Sequence, residues 1–301
     1  MTEQAKKKLL ITGASGFLGW NICRYASETY SVTGVCRHHT TGLQTVTGVQ
    51  GDLTGEQFRD RLFAACTPDA VIHTAAAADP NFCEQHPEHA EAINVTATVA
   101  LARQCASSGI PFLFTSTDLV FDGRHPPYRE DAPAAPLNRY GRQKAAAERE
   151  ILDNYANATV CRMPLMYGDA PPHAKSFIHP MINTLRGGGE LRLFTDEYRT
   201  PLSATDAAAG LLLVLEKQLT GIIHLGGPER LSRYEMGRLL ANALNVAPSI
   251  TPCYRKDVPM PAPRAADVSL ESGRATAAGF RPHAMHLELA KLACISSTTV
   301  N

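Results

Sequence analysis

Two textures alternate along the chain. Short apolar, β-branched runs end in glycine, threonine or alanine, and between them lie stretches whose apolar residues recur with helical period. "KLLITG" (Lys8–Gly13) reads as a buried strand, "FLGWNICRYASE" (Phe17–Glu28) as a helix and "YSVTGVCR" (Tyr30–Arg37) as a second strand. "VTGVQGDLT" holds a third strand, followed by a helix over Glu56–Cys66. "DAVIHTAA" (Asp69–Ala76) is a fourth strand, Pro87–Ser107 a long helix, and "PFLFTST" (Pro111–Thr117) a fifth strand. A helix containing "NRYGRQKAAAERE" leads to a sixth strand in "ATVCRMP" (Ala158–Pro164). This alternation predicts βαβ units and an α/β, Rossmann-type, doubly wound parallel sheet.

After Pro164 prolines and glycines become frequent, as in "YGDAPPHAK" and "LRGGGELRLF". Helical period returns at Ala204–Lys217 and Ser232–Asn245, and the proline-rich stretch Asp257–Ser269 reads as a loop. The expected organisation is a Rossmann domain over residues 1–165, with a segment near 203–225 returning to it, and a smaller substrate-binding lobe over 166–301.

Composition narrows the function. Hydrophobic residues make up 44% and charged residues 19% of the 301, which suits a soluble globular protein. Lysine plus arginine and aspartate plus glutamate each total 29, so no strong field draws nucleic acid or an anionic membrane, and a small-molecule substrate is expected. The basic start "MTEQAKKKLLITG" has too short an apolar run for a signal peptide, and no stretch approaches a membrane span. The eight cysteines form no C-x-x-C pair and sit among apolar neighbours, as reduced core residues of a cytoplasmic protein would. His38, His39, His173 and His179 lack helical metal spacing, and no metal is expected.

"TGASGFLG" places Gly13, Gly16 and Gly19 between the first strand and the first helix. In that context the glycines permit a tight turn, close approach of a pyrophosphate and close helix–strand packing, and the helix N-terminus faces the phosphates. The end of the second strand bears on cofactor choice. Where NAD binders place an acidic residue, this chain has Cys36-Arg37-His38-His39. Arginine there can pair with an adenosine 2′-phosphate, so NADP(H) is expected over NAD(H); a solvated loop arginine is the alternative. Tyr140 and Lys144 stand about one helical turn apart on one face, a spacing any long helix offers by chance.

The order "TGASGFLG", "GDLT", "HTAAAAD", "INVTAT", "TSTDLVFDG", "YGRQK" and "RMPLMYG" resembles the extended short-chain dehydrogenases/reductases over nearly the whole chain. "STDLVFDG", "CEQHPEHAEAINV" and "PRAADVSLES" are most similar to the dTDP-4-dehydrorhamnose reductase branch. The resemblance implies a triad of Thr117, Tyr140 as acid and Lys144 as its partner. It implies that Ser15, Phe17, Leu18 and Met163 contact the cofactor, that Arg37 and His38 meet its ribose end, that Asp52 and Leu53 border the adenine, and that Ala75, Ala76 and Ala77 line the groove beyond the fourth strand. Asp118, Phe121, Tyr167, Arg199 and Arg264 are substrate candidates, the two arginines for phosphates; a surface or structural arginine is the commoner case. A nearby ammonium is expected to lower the phenol's pKa.

The implied activity is NADPH-dependent reduction of a keto-sugar, nucleotide-linked as the branch's substrates are. An epimerase of the same family and a non-catalytic NADP-binding regulatory subunit are the alternatives, and a homodimer is the assembly to test. Leu119 replaces a common aromatic, Phe17 a common glutamine and Ala265 a common proline, which leaves the substrate open. Thr117-Asp118 is followed by Leu119 and not by the glutamate of the related dehydratases, which argues against dehydration.

Overall fold

The computed structural model describes residues 5–174, 176–247 and 249–298, with side chains through 292. The apolar runs form the central strands β1 (Lys8–Thr12), β2 (Ser31–Cys36), β3 (Val46–Gln50), β4 (Ala70–His73), β5 (Phe112–Thr117) and β6 (Thr159–Met163). A further strand, β7 (Gly221–His224), pairs with β6 and completes a seven-stranded sheet of order β7-β6-β5-β4-β1-β2-β3. Every pairing in it is parallel. This is the doubly wound Rossmann-type sheet that the strand–helix alternation implies.

The strand residues alternate between two cores, as a pleat requires. Leu9, Ile11 and Ile72 pack on one face with Leu18 and Ile22 of helix α1 (Phe17–Ala26). Leu10, Val71, Phe112 and Phe114 pack on the other, against Leu62 of α2 (Glu56–Cys66), Leu101 of α3 (Thr98–Ser107) and Ile151 of α4 (Arg139–Asn154).

The expected continuous helix over Pro87–Ser107 differs in detail. An α-helical turn over Pro87–Glu91 passes into a π-helical stretch, Ala92–Ala97, before α3. A short helix over Pro80–Gln85, capped by the Asp79 carboxylate, precedes it without an apolar signal of its own.

In the smaller lobe, α5 (Ile178–Arg186) and α7 (Arg233–Leu244) enclose Tyr167, Ile182, Met236 and Leu240 together with Leu289 of α8 (Met285–Thr298). Between α5 and α7 in the chain, α6 (Ala204–Glu216) returns to the sheet, placing Ala207, Ala208 and Leu211 beside α1. His283 Nδ1 lies 2.9 Å from Asp206 Oδ1 and so ties the approach to α8 to the first turn of α6. The proline-rich segment after Asp257 has no helix and only single bridges, as its composition suggests. Cys23, Cys36, Cys66, Cys83, Cys105, Cys161 and Cys253 are free thiols; Cys294 lies outside the described side chains. Among the described residues no helix is long and apolar enough to cross a membrane.

Candidate active site

β1 and β4 are neighbours from which the chain leaves toward opposite sides of the sheet, which opens a crevice at their carboxyl ends. A cleft of about 470 Å³ occupies it and extends to the smaller lobe.

One end is built from the glycine turn. Gly13 has φ +67°, and a Cβ there would lie 2.7 Å from the Ala75 nitrogen, so the turn can press on the segment after β4 only without a side chain. At Gly16 a Cβ would approach only the Gly13 carbonyl, leaving open space beyond. Gly16 is also the N-cap of α1 and no side chain caps that helix, so its leading N–H groups are free to meet an anion. This cradle fits the pyrophosphate of a dinucleotide. Gly13, Gly16, Phe17, Leu18, Gly19, Ala76 and Met163 all line the cleft.

Ser15, Arg37, His38, Asp52, Leu53, Ala75 and Ala77 lie outside that lining. Ser15 is on the rim, where its carbonyl lies 3.0 Å from His173 Nε2. Arg37 is exposed and pairs with Asp52 at 3.1 Å. His38 is exposed, and the Leu53 carbonyl accepts a hydrogen bond from Arg59. Ala75 packs under Gly13. Ala77 is held by Asn94, whose Oδ1 accepts from the Ala77 N–H at 2.8 Å and whose Nδ2 donates to Gln143 Oε1 at 2.9 Å.

Asn94 thus joins the loop after β4 to the helix that carries Lys144. Its signal is a polar residue, buried in the π-helical stretch, within an otherwise amphipathic helix. Sequence reading passed over it because the asparagine interrupts no hydrophobic period.

The middle of the cleft holds Thr117, Tyr140 and Lys144. Thr117 ends β5, accepts from the Leu119 N–H at 3.2 Å and donates to Asp118 Oδ1 at 3.2 Å. Helix α4 starts at an Asn138 cap on the Gly141 N–H, 2.8 Å. A Cβ on Gly141 would sit 2.1 Å from the Leu119 carbonyl oxygen, so glycine allows α4 to pack onto the turn after Thr117. That contact brings the three residues together.

Their electrostatics depart from the expected lowering of the phenol. Burial pushes the Tyr140 hydroxyl up, and the neighbouring Cys83 and Asp118 act in the same direction wherever they are ionised. Burial also pushes the Lys144 ammonium down to about 7, against the pull of Glu148. The Lys144 nitrogen lies 4.0 Å from the centroid of the Phe114 ring. Desolvation thus dominates both groups and keeps the proton on Tyr140 at neutral pH.

The far end is cationic. Arg199, Arg233 and Arg264 line the cleft around the fully buried Glu197. Arg264 binds Glu197 through Nε at 2.5 Å and through Nη2 at 2.7 Å, Arg233 through Nε at 3.2 Å, and Arg199 approaches at 3.7 Å. Burial opposes ionisation of Glu197, but the Arg264 hydrogen bond and the three guanidinium charges prevail and hold its carboxyl at about 2. Arg199 also binds Asp118 at 2.7 Å. Burial pushes the Asp118 carboxyl up in spite of that partner. Sequence reading missed Arg233, whose position on a lobe helix gives no motif.

Two substrate candidates do not reach the cleft. Phe121 is buried, stacked on Tyr128 with ring centroids 4.0 Å apart. Tyr167 is buried in the core of the smaller lobe. Phe121 follows β5 through a tight turn and Tyr167 lies in a two-residue strand, Met166–Tyr167, after β6, and both side chains are directed inward.

Known proteins resemble this chain over most of its length. The model of the family described as RmlD substrate binding domain matches residues 7–296. The chain is 31% identical over 254 residues to methionine adenosyltransferase 2 subunit beta of Xenopus tropicalis, covering 81% of this chain and 74% of that one. It is 30% identical over 282 residues to dTDP-4-dehydrorhamnose reductase of Mycolicibacterium smegmatis, covering 92% and 81%. Among solved structures, a dTDP-4-dehydrorhamnose reductase of Clostridium acetobutylicum superposes with a TM-score of 0.84 at 25% identity, covering 96% of this chain and 99% of that one. The family match spans both the sheet and the lobe, and the chain belongs to the RmlD substrate-binding-domain family.

Proposed function

We propose that this protein is an NADPH-dependent reductase of a nucleotide-linked keto-sugar, with dTDP-4-dehydrorhamnose as the first substrate to test. The observation that carries this reading is one continuous cleft with three chemistries in line. An uncapped helix N-terminus fits the cofactor phosphates, a buried tyrosine and lysine follow, and an arginine cluster completes the far end. The reductase named among the relatives supports it.

Gly16, Phe17 and Leu18 would hold the dinucleotide phosphates, and Ala76 and Met163 the path toward the nicotinamide. When bound, the cofactor supplies a hydride for the substrate carbonyl. Tyr140 holds a proton on its hydroxyl, because burial opposes its ionisation, and can give it to the developing alkoxide. Lys144, beside it in the cleft, then stabilises the phenolate. Arg233 and Arg264, whose side chains are 18% and 26% exposed against 8% for Arg199, are the groups best able to accept a substrate diphosphate.

The test is NADPH consumption followed by absorbance with dTDP-4-dehydrorhamnose. Steady consumption matched by reduced sugar supports the reductase. Isomerised sugar without net NADPH loss identifies an epimerase instead.

A second reading is favoured by one specific observation. The Thr117 hydroxyl donates its hydrogen bond to Asp118 Oδ1 at 3.2 Å, which engages it within the fold. This suits a cofactor-binding subunit without turnover, as the adenosyltransferase subunit among the relatives suggests. Co-purification with a methionine adenosyltransferase catalytic subunit, with no NADPH consumption, would establish that role.

A further inference from the structure

A strap from the smaller lobe crosses the rim of the cofactor end of the cleft. Asn21 of α1 donates to the Asp169 carbonyl at 2.9 Å, and Arg24 binds the Asp169 carboxylate at 3.0 Å. Four residues on, His173 Nε2 meets the carbonyl of Ser15 in the glycine turn at 3.0 Å. The His173 ring stacks on His39, with centroids 4.6 Å apart and planes 25° apart. His39 belongs to the loop that follows β2, two residues after Arg37. The stack therefore bridges the glycine turn and the loop after β2, the two lips between which the adenosine ribose of a dinucleotide lies.

Charge at this rim is poorly matched to a dianion if Arg37 acts alone. Arg37 is paired with Asp52, and Arg24 with Asp169, so each formal cation already has an anion beside it. Beside these pairs stand the exposed imidazoles of His39 and His173, whose ring N–H groups can donate to the oxygens of a phosphate. A contact between His173 Nε2–H and the Ser15 carbonyl leaves Nδ1 available to a ligand.

We propose that His39 and His173 form, with Arg37, the receptor for the adenosine 2′-phosphate, and that His173 brings the strap of the smaller lobe onto the cofactor. This rests on the reading of the cleft as a dinucleotide site. NADPH then joins the two lobes through its 2′-phosphate, whereas NADH lacks the group that recruits the imidazoles.

The experiment is fluorescence titration of the full chain with NADPH and with NADH, in parallel, for the unmodified protein, His173→Gln, His39→Gln and Arg37→Ala. Glutamine retains a side-chain donor for the Ser15 carbonyl but cannot become a cation. The expected result is preferential NADPH binding by the unmodified protein. Each histidine variant should then lose roughly tenfold in NADPH affinity, the effect of one charge-assisted hydrogen bond, with NADH affinity unchanged. Equal loss for both cofactors would make the strap a structural clasp and overturn the proposal. NADPH affinity retained in both histidine variants but lost in Arg37→Ala would overturn it too, while leaving the dinucleotide reading intact. An unmodified protein that binds neither cofactor would remove that reading and this proposal together.

Discussion

At the residue scale, the proposed function divides the cleft into groups that would act on substrate and groups that hold the site. Tyr140→Phe removes one hydroxyl and retains the ring, so the buried packing beside Cys83 and Ala90 persists. Turnover should fall by roughly 10²–10⁴-fold, the usual worth of a positioned acid, with cofactor affinity unchanged. Stopped-flow NADPH oxidation beside a cofactor titration measures both, and near-normal turnover would exclude Tyr140 as the acid. Arg199 is different. It is buried, and its removal leaves Asp118 and part of the Glu197 charge uncompensated. Arg199→Ala should cost roughly 3–5 kcal/mol, the penalty of breaking a buried ion pair from one side. Arg264→Ala should instead raise the Michaelis constant about tenfold at a smaller loss of stability, because Arg264 is more exposed. Urea melts and initial-rate kinetics on both variants separate the roles. A stable Arg199→Ala protein with a raised Michaelis constant would return the phosphate role to Arg199.

At the scale of elements, much was legible because local rules and tertiary context agree. Strands β1, β2, β4, β5 and β6 are largely apolar, buried runs bounded by turn residues, as burial on both sides of a parallel sheet needs, whereas the edge strand β3 is mostly exposed and shows only its β-branched residues. The glycine turn was legible because strand, turn and helix occur in the order its geometry demands. The π-helical stretch was not, since it preserves an amphipathic face while inserting Asn94 between two segments. The arginine cluster was legible only in part: Arg199 and Arg264 stood out singly and Arg233 did not, and the three, from a short strand, a proline-rich loop and a lobe helix, meet through Glu197. Phe121 and Tyr167 show the reverse failure: proximity to a strand end suggested the cleft, and side-chain direction denied it. Gly141 tests the contact between elements that assembles the triad. Gly141→Ala should force α4 away from the Leu119 carbonyl and destabilise the fold by roughly 1–3 kcal/mol, the range for overpacking. Turnover should fall with it as Tyr140 shifts relative to Thr117. A variant with unchanged melting temperature and rate would show that the turn yields without cost.

At the scale of the whole molecule, buried bases link stability to pH. His73 lies between Phe112 and Phe114, with one ring nitrogen 2.6 Å from the Thr12 hydroxyl and the other 2.9 Å from that of Thr98. Burial, with a smaller contribution from the Lys144 charge, pushes it down to about 3. His224 faces Arg162 and two backbone carbonyls, and burial, then the Arg162 charge, pushes it to about 3 as well. Between that value and the ordinary histidine value of about 6.5, the unfolded chain binds two protons that the folded chain refuses. Stability therefore rises with pH across this window, by at most roughly 1.4 kcal/mol per pH unit for each histidine, and is lost on acidification. Lys144 extends the same sign upward. Its folded value near 7 lies below the ordinary lysine value, so stability continues to rise above pH 7 as the unfolded chain alone retains that proton. Melting temperature measured from pH 4.5 to 9 should climb steeply to about 6.5 and more gently beyond. His224→Gln keeps a donor for the carbonyls of Tyr128 and Glu271 but cannot titrate, so its acid-side slope should drop by about one proton. Lys144→Met should flatten the rise above pH 7 and stabilise the fold most at pH 6, where the buried ammonium is costliest. A melting temperature independent of pH between 4.5 and 6.5 would show that both histidines open to water well before the fold does, and that their burial does not set its acid limit.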